Sequence, residues 1–325
     1  MGDAARSFRM SVLYVFPGQG AQRAGMLHAL PDHPEARRTI DETDAILGFA
    51  PLTLDSAEAL RSTVAVQLSM LIAGVATARV LLALGHEADM VAGLSIGAYP
   101  AAVVAGALDY ADAVRLVALR GRIMEQAYAR GYGMTAIVGL RERQLERLTA
   151  IVNSPRMPVF LANINDETQM VIAGRDEAME AVAALAREEG AYRCERLDVS
   201  TPSHCALLDA VAAELTHAFK GIRVRRPHLT YLSSSVSRQL FDGGAIADDL
   251  ARNVARQVRW HETVRLAWER GARLLIEMPS GNVLSKLGVD VFSDGLAVST
   301  SDTALNTIRT LIQREQDGAI ESKRR

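Results

Sequence analysis

The sequence predicts an α/β protein in which a large domain with a central parallel sheet carries a small inserted α+β domain. Two short apolar segments, residues 11–16 and 90–92, have the composition of fully buried strands. Helix-like runs follow each of them, and this alternation is typical of a parallel sheet covered on both faces. The order β-α-β-β-α-β within residues 131–200 is that of a ferredoxin-like unit.

Breaker residues and apolar periodicity place the elements of the large domain, which is assigned residues 1–130 and 201–325. Pro17-Gly18 ends the first strand, and helices are predicted at 60–84 and 110–128. Thr201-Pro202 marks the return from the insert. The returning half is predicted to contain a helix at 206–220, a strand at 229–233, helices at 245–253 and 263–270, and a strand at 273–277.

The inserted ferredoxin-like domain is assigned residues 131–200, where the pattern changes after two glycines, Gly131 and Gly133. Short apolar runs and two amphipathic runs succeed one another there without a long loop. The predicted elements, in order, are 134–139, 142–152, 159–165, 169–173, 175–189 and 193–199.

Composition argues against several classes of function. Lys and Arg number 36 and Asp and Glu 38, and a net charge of −2 disfavours general nucleic-acid or anionic-membrane binding. The two cysteines, Cys194 and Cys205, provide neither a disulfide framework nor zinc-ligand spacing, so we expect no metal and a reducing cytoplasm. We also expect no membrane span and no signal peptide.

The segment Gly93-Leu94-Ser95-Ile96-Gly97 matches a nucleophile elbow, the strand-to-helix turn of an α/β-hydrolase-like domain. Glycine is needed on both sides because a Cβ there would collide with neighbouring backbone. The turn exposes the Ser95 hydroxyl and directs backbone N–H groups toward it, where they can stabilise charge on a bound carbonyl. Ser95 is therefore the predicted nucleophile.

A serine hydroxyl needs a base within hydrogen-bond reach, and His204 is the best candidate among seven histidines. It lies in Thr201-Pro202-Ser203-His204-Cys205, at the predicted junction of the two domains, where clefts form. A hydrolase-type triad would place an acid between Ser95 and His204, and this alternative stays open. The aspartates in that interval include Asp109, Asp112 and Asp198.

Several further motifs, in the same order and at similar spacing, resemble the malonyl-CoA:acyl carrier protein transacylases along nearly the whole chain. Each motif alone is weak evidence, but their combination makes chance an unsatisfactory explanation. The matching segments are Pro17-Gly18-Gln19-Gly20, Gly93-Leu94-Ser95-Ile96-Gly97, the helix 115–121, Asn165 with 169–174, Pro202-Ser203-His204-Cys205-Ala206-Leu207 and Gln257-Val258-Arg259-Trp260.

The resemblance implies a catalytic mechanism. Ser95 would attack the thioester of malonyl-CoA, and His204 would act as general base. The backbone N–H groups of Gln19 and Ile96 would form the oxyanion hole. The main-chain carbonyl of Asn253, rather than a carboxylate, would orient the imidazole.

The resemblance also implies the substrate contacts. Arg120 would bind the free carboxylate through two parallel hydrogen bonds and so select malonyl over acetyl. Gln67 and Asn165 would contribute to the same substrate site. The donor would be malonyl-CoA and the acceptor the prosthetic-group thiol of an acyl carrier protein, with no bound cofactor.

Two positions depart from the usual pattern of the transacylases of fatty-acid synthesis, which carry His and Glu where this chain has Leu94 and Ala98. The segment 93–99, which includes both positions, looks most like the epsilon subunit of malonate decarboxylase when it is taken with Gly131-Tyr132-Gly133-Met134 and with Pro17 to Met26. That subunit charges a dedicated carrier subunit. The alternatives are a transacylase of fatty acid or polyketide synthesis, a serine hydrolase, and a noncatalytic carrier-binding subunit.

Carrier proteins of this kind are typically acidic, so a basic surface is expected to receive them. The densest basic cluster comprises Lys220, Arg223, Arg225 and Arg226. A solvated turn is the competing interpretation of this cluster.

Overall fold

The computed structural model describes residues 11–128 and 130–321 and confirms the α/β class. The strands are β1 Ser11–Phe16, β2 Met90–Gly93, β3 Tyr132–Val138, β4 Val159–Ile164, β5 Gln169–Arg175, β6 Arg193–Arg196, β7 Thr230–Ser233, β8 Arg238–Leu240, β9 Val258–Arg259, β10 Ala272–Glu277 and β11 Leu296–Ser299. The helices are α1 Pro34–Leu47, α2 Thr63–Ala83, α3 Ala98–Val104, α4 Tyr110–Ala127, α5 Glu142–Val152, α6 Asp176–Glu188, α7 Asp209–Ala218, α8 Gly243–Arg252, α9 Trp260–Glu269, α10 Val283–Gly288 and α11 Leu305–Glu321.

The central sheet has six strands in the order β11-β10-β1-β2-β7-β8. Its pairings are parallel except for the hairpin of β7 and β8. Every residue of β1 is buried, and its side chains alternate between two hydrophobic clusters. Val12 and Tyr14 belong to one cluster, whereas Leu13 and Val15 belong to the other. The sheet is therefore covered on both faces, as a continuous apolar strand requires.

Helix α2 corrects the expectation that no apolar run is long enough to span a membrane. It has 21 residues, and its mean hydropathy reaches 1.8 over 18 of them. Of that window, 89% is buried inside the protein, where α2 packs against α1, α3 and α4. A helix that is apolar on all sides is typical of a domain core as well as of a membrane, and here it belongs to the core.

The small sheet has five strands in the order β6-β3-β5-β4-β9. The first four strands and the helices α5 and α6 have the predicted order β-α-β-β-α-β, and Leu145, Ile172 and Val182 are fully buried in their shared core. Strand β9 lies outside residues 131–200 and pairs in parallel with β4. The returning chain thus extends the small sheet by one short strand, and the division into 131–200 and the remainder stays a prediction.

The elbow lies where two neighbouring parallel strands, β1 and β2, both end. A Cβ placed on Gly97 would lie 2.0 Å from the carbonyl oxygen of Phe16, and one on Gly93 would lie 2.0 Å from the carbonyl carbon of Gly97. Both contacts are with backbone, which cannot rotate away. Glycine is therefore required on each side of Ser95, as the sequence predicts.

We expect Gly97→Ala to lower the free energy of unfolding by roughly 3 kcal/mol or more, because the new methyl group overlaps backbone of β1. Gly221→Ala is the matched control, since a Cβ on Gly221 meets nothing within 4 Å. Chemical denaturation of both variants measures the difference. Equal stability of the two variants would show that the elbow tolerates a side chain.

Candidate active site

Ser95 opens the turn that follows β2 and has a left-handed backbone conformation, with φ of 57°. Residues other than glycine rarely adopt the left-handed backbone conformation. The backbone strain that it causes is concentrated at functional sites. The turn is held by its neighbours, because the N–H of Leu94 donates to the Phe16 carbonyl at 3.0 Å and that of Gly97 donates to the Leu94 carbonyl at 3.0 Å. The Ser95 residue is 8% exposed, so its hydroxyl lies in a sheltered position.

His204 is the second left-handed residue of the site, with φ of 66° and an exposed fraction of 3%. Its Nδ1 lies 2.7 Å from the carbonyl oxygen of Asn253 and 3.2 Å from that of Arg256. A carbonyl oxygen only accepts, so Nδ1 must carry the proton and Nε2 is the unprotonated nitrogen. Main-chain carbonyls therefore orient this imidazole and fix its tautomer.

The three named aspartates of this interval, Asp109, Asp112 and Asp198, do not serve as a triad acid for His204 in this structure. Asp109 pairs with Arg225 at 2.7 Å, and Asp112 pairs with Arg115 at 3.2 Å. Asp198 is exposed. The carboxylate-based triad that the sequence left open is thus contradicted, since carbonyl oxygens occupy the Nδ1 side of His204.

Arg120 on α4 is 1% exposed and has no carboxylate within ion-pair distance among residues 11–128 and 130–321. One of its nitrogens, Nη2, lies 3.1 Å from Ser95 Oγ and 3.4 Å from Asn253 Oδ1, and it donates to both. The Tyr99 ring centroid lies 6.0 Å from Arg120 Cζ, and Arg120 Nε has no hydrogen-bond partner among the described residues. Burial lowers the pKa of Arg120 to about 10, so the guanidinium is charged at neutral pH.

The loop after β1 lies directly against the elbow. A Cβ on Gly18 would lie 3.0 Å from the Leu94 carbonyl oxygen and 2.7 Å from its Cδ2 atom. The next residue, Gln19, is half-buried, and neither its N–H nor that of Ile96 has a hydrogen-bond partner among the described residues. Both predicted oxyanion donors are therefore close to the elbow and unused by the fold.

Gln67 and Asn165 differ in how closely the structure ties them to this site. Gln67 is fully buried on α2, and its Nε2 donates to the Met124 sulfur at 3.4 Å, one turn along α4 from Arg120. Its Oε1 has no hydrogen-bond partner among the residues that the structure describes. Asn165 follows β4, and its Oδ1 is also without a partner, but no hydrogen bond joins it to the other site residues in the described chain.

The basic cluster of Lys220, Arg223, Arg225 and Arg226 lies near the opposite end of the central sheet from Ser95. It precedes β7, whose first N–H donates to the carbonyl of Asp89 just before β2, whereas Ser95 follows the opposite end of β2. A strand of four residues spans about 13 Å. The Arg225 side chain pairs with Asp109 at 2.7 Å. Carrier docking at this cluster stays a prediction.

One contact of the site was missed from the sequence. The side chain of Asn253 lies between Arg120 and Ser95, because its Oδ1 faces Arg120 Nη2 and its Nδ2 lies 3.4 Å from the Ser95 carbonyl oxygen. The resemblance had implied a role for the main chain of this residue alone. A single asparagine at a helix end carries no signal that distinguishes the two roles.

The site combines a sheltered serine, a neutral imidazole and a buried cation. These groups suit an enzyme that transfers an anionic acyl group. Residues 13–325 match the acyl transferase domain family, and the chain belongs to that family.

Named relatives and solved structures agree with this assignment over most of the chain. A malonyl CoA-acyl carrier protein transacylase of Haemophilus influenzae is 37% identical over 89% of this chain and 95% of its own length. The crystal structure of an acyl-carrier-protein S-malonyltransferase from Burkholderia pseudomallei has a TM-score of 0.88 at 34% identity, covering 93% of this chain and all of that one. A malonyl-transacylase in complex with a type II polyketide-synthase acyl-carrier protein has a TM-score of 0.86 at 34% identity. The match covers 94% of this chain and 99% of that one.

We expect the imidazole of His204 to remain neutral at pH 6, because burial and the Arg120 charge lower its pKa to about 4. The unfolded chain has a histidine pKa of about 6.5. At pH values between these two pKa values, the unfolded chain binds a proton at His204 that the folded protein does not bind. The free energy of unfolding therefore decreases as the pH falls through this range. NMR titration, with His204→Ala to assign the signal, measures the midpoint; a value near 6.5 would contradict the expectation.

Proposed function

We propose that the protein transfers the malonyl group of malonyl-CoA to the thiol of an acyl carrier protein, through a malonyl ester on Ser95. The observation that carries the proposal is the buried Arg120 guanidinium, which has no carboxylate partner within residues 11–128 and 130–321 and donates to Ser95 Oγ at 3.1 Å. A buried cation of this kind favours a substrate that brings its own anion. The names of the transacylase relatives support the same reaction.

In the first half-reaction, the unprotonated Nε2 of His204 accepts the Ser95 hydroxyl proton as Oγ attacks the thioester carbonyl carbon. The carbon–sulfur bond then breaks, and the departing CoA thiolate takes the proton from His204. The N–H groups of Gln19 and Ile96 stabilise the negative oxygen of the tetrahedral intermediate. In the second half-reaction, the carrier thiol gives its proton to His204 as its sulfur attacks the ester carbonyl carbon. The bond from that carbon to Ser95 Oγ then breaks, and Oγ takes the proton back from His204. No bound cofactor is needed.

Arg120 supplies selectivity for an acyl group with a free carboxylate. A planar guanidinium can make two parallel hydrogen bonds to that carboxylate, and charge-assisted hydrogen bonds of this kind are strong in a sheltered site. An acetyl group leaves the buried cation with only neutral partners, which costs free energy in both the bound and the transition state. We propose that Gln67 contributes to the same site, because its Nε2 donates to the sulfur of Met124, one turn along α4 from Arg120.

The identity of the carrier is the finer part of the proposal. The relatives' names support a carrier of fatty acid or polyketide synthesis better than the carrier subunit of malonate decarboxylase, which the sequence favoured. The decarboxylase hypothesis depends in part on Leu94 and Ala98, where the transacylases of fatty-acid synthesis usually carry His and Glu. In the structure Leu94 packs against an apolar cluster and Ala98 is 3% exposed, so both positions are accommodated without the usual polar side chains. We therefore propose the fatty-acid or polyketide carrier as the acceptor.

Ser95→Ala is expected to abolish the malonyl adduct that intact-mass analysis detects after mixing with malonyl-CoA. Arg120→Ala is expected to lower kcat/KM for malonyl-CoA by roughly 100-fold or more, because it removes charge-assisted hydrogen bonds worth about 3 kcal/mol together. Acetyl-CoA use should change by less than about tenfold.

The matched control is Arg122→Ala, which removes an exposed guanidinium from the same helix. It should leave kcat/KM unchanged for both malonyl-CoA and acetyl-CoA. Equal losses on malonyl-CoA and acetyl-CoA in Arg120→Ala would reject the assignment of Arg120. Rapid loss of the wild-type adduct to water would instead favour a hydrolase.

Competition between carriers tests the acceptor. We expect the wild-type malonyl adduct to move to a fatty-acid or polyketide carrier faster than to a malonate decarboxylase carrier, when both are offered at equal concentration. The reverse order would restore the decarboxylase hypothesis while leaving malonyl transfer itself intact.

A further inference from the structure

We infer that the side chain of Asn253 is a positioning residue, which aims the Arg120 guanidinium and fixes it relative to the Ser95 turn. The inference rests on the proposed function, because the Arg120 guanidinium is positioned to bind a malonyl carboxylate. It extends the role implied by the family resemblance, which concerned the main-chain carbonyl only.

The amide of Asn253 bridges two groups whose hydrogen-bonding character is fixed. A guanidinium only donates, so the atom that faces Arg120 Nη2 at 3.4 Å must be Oδ1. A backbone carbonyl only accepts, so the atom 3.4 Å from the Ser95 carbonyl must be Nδ2. Each contact independently demands the same orientation of the amide, which an aspartate or a leucine could not provide.

One residue thereby contacts three members of the site. Its main-chain carbonyl accepts from His204 Nδ1 at 2.7 Å, while its side chain reaches Arg120 and Ser95. Substitution of the side chain keeps the carbonyl in place. The two roles can therefore be separated by mutation, which is unusual for neighbouring contacts in one site.

Asn253 can act as a fixed reference because the end of α8 is tied to the elbow strand. Asp249, one turn earlier and 3% exposed, accepts from Ser233 Oγ at 2.7 Å and from Tyr231 Oη at 3.1 Å. Both partners belong to β7, whose Ser233 pairs with Gly93 of β2. The next residue, Ser234, donates to the Gly93 carbonyl at 2.8 Å.

The neutrality of the amide matters as much as its position. Asn253 Oδ1 and Ser95 Oγ both accept from the guanidinium without cancelling its charge. A carboxylate at the same place would form a buried ion pair with Arg120 and compete with the substrate's carboxylate. An uncharged acceptor can hold the guanidinium in one orientation and leave its charge available for the ligand.

The experiment compares Asn253→Ala and Asn253→Asp with the wild-type enzyme, using malonyl-CoA and acetyl-CoA with a carrier the wild type accepts. We expect Asn253→Ala to lower kcat/KM for malonyl-CoA by about tenfold and that for acetyl-CoA by less than about threefold. We expect Asn253→Asp, which keeps the size of the side chain, to raise the malonyl-CoA KM by more than about tenfold through competition for Arg120.

Asn306→Ala is the matched control, because Asn306 Oδ1 also accepts from an arginine, Arg309, at 3.4 Å but on the remote helix α11. This control variant should change kcat/KM for neither malonyl-CoA nor acetyl-CoA. Equal losses on the two substrates in both Asn253 variants, or an unchanged preference for malonyl, would overturn the inference. A wild-type enzyme that forms no malonyl ester on Ser95 would instead overturn the proposed function, and the inference with it.

Discussion

The arrangement of this site depends on one buried cation, Arg120, that has no anionic partner in the described part of the chain. Arg120 is 1% exposed, and its polar contacts are neutral oxygens of Ser95 and Asn253. Burying an uncompensated guanidinium costs several kcal/mol, which the rest of the fold must offset. The same charge, together with burial, lowers the pKa of His204, so the feature suited to binding a carboxylate also keeps the imidazole neutral.

The scaffold brings these groups together from distant parts of the chain. Parallel pairing of β1, β2 and β7 places the elbow beside the loop that follows β1, and the Asp249 network fixes the end of α8 against the same strands. The glycines on each side of Ser95 allow backbone to approach within distances that any side chain would prevent. Precision at the site therefore comes largely from the backbone contacts that fix the elbow and the end of α8.

Much of this architecture was predictable, and the failures have physical reasons. Helix 142–152 and strand 11–16 agree with the structure because strong periodicity or a proline stop marks them. Helix α1 was missed because its buried positions are Ala36, Thr39 and Thr43, which form no apolar stripe. Strand β9 has two residues, too few for a pattern, and exists through its pairing with β4. The Asn253 bridge and the remote position of the basic cluster depend on tertiary packing, which one sequence does not reveal.

The most direct test of the account is a crystal structure of the enzyme carrying the malonyl ester on Ser95. The account predicts that the malonyl carboxylate replaces Ser95 Oγ as the partner of Arg120, in a two-pronged contact with N···O distances of about 2.8 Å. Asn253 Oδ1 should keep its contact with the guanidinium. A carboxylate directed toward solvent, with Arg120 unpaired, would contradict the central claim that this buried cation awaits an anionic acyl group.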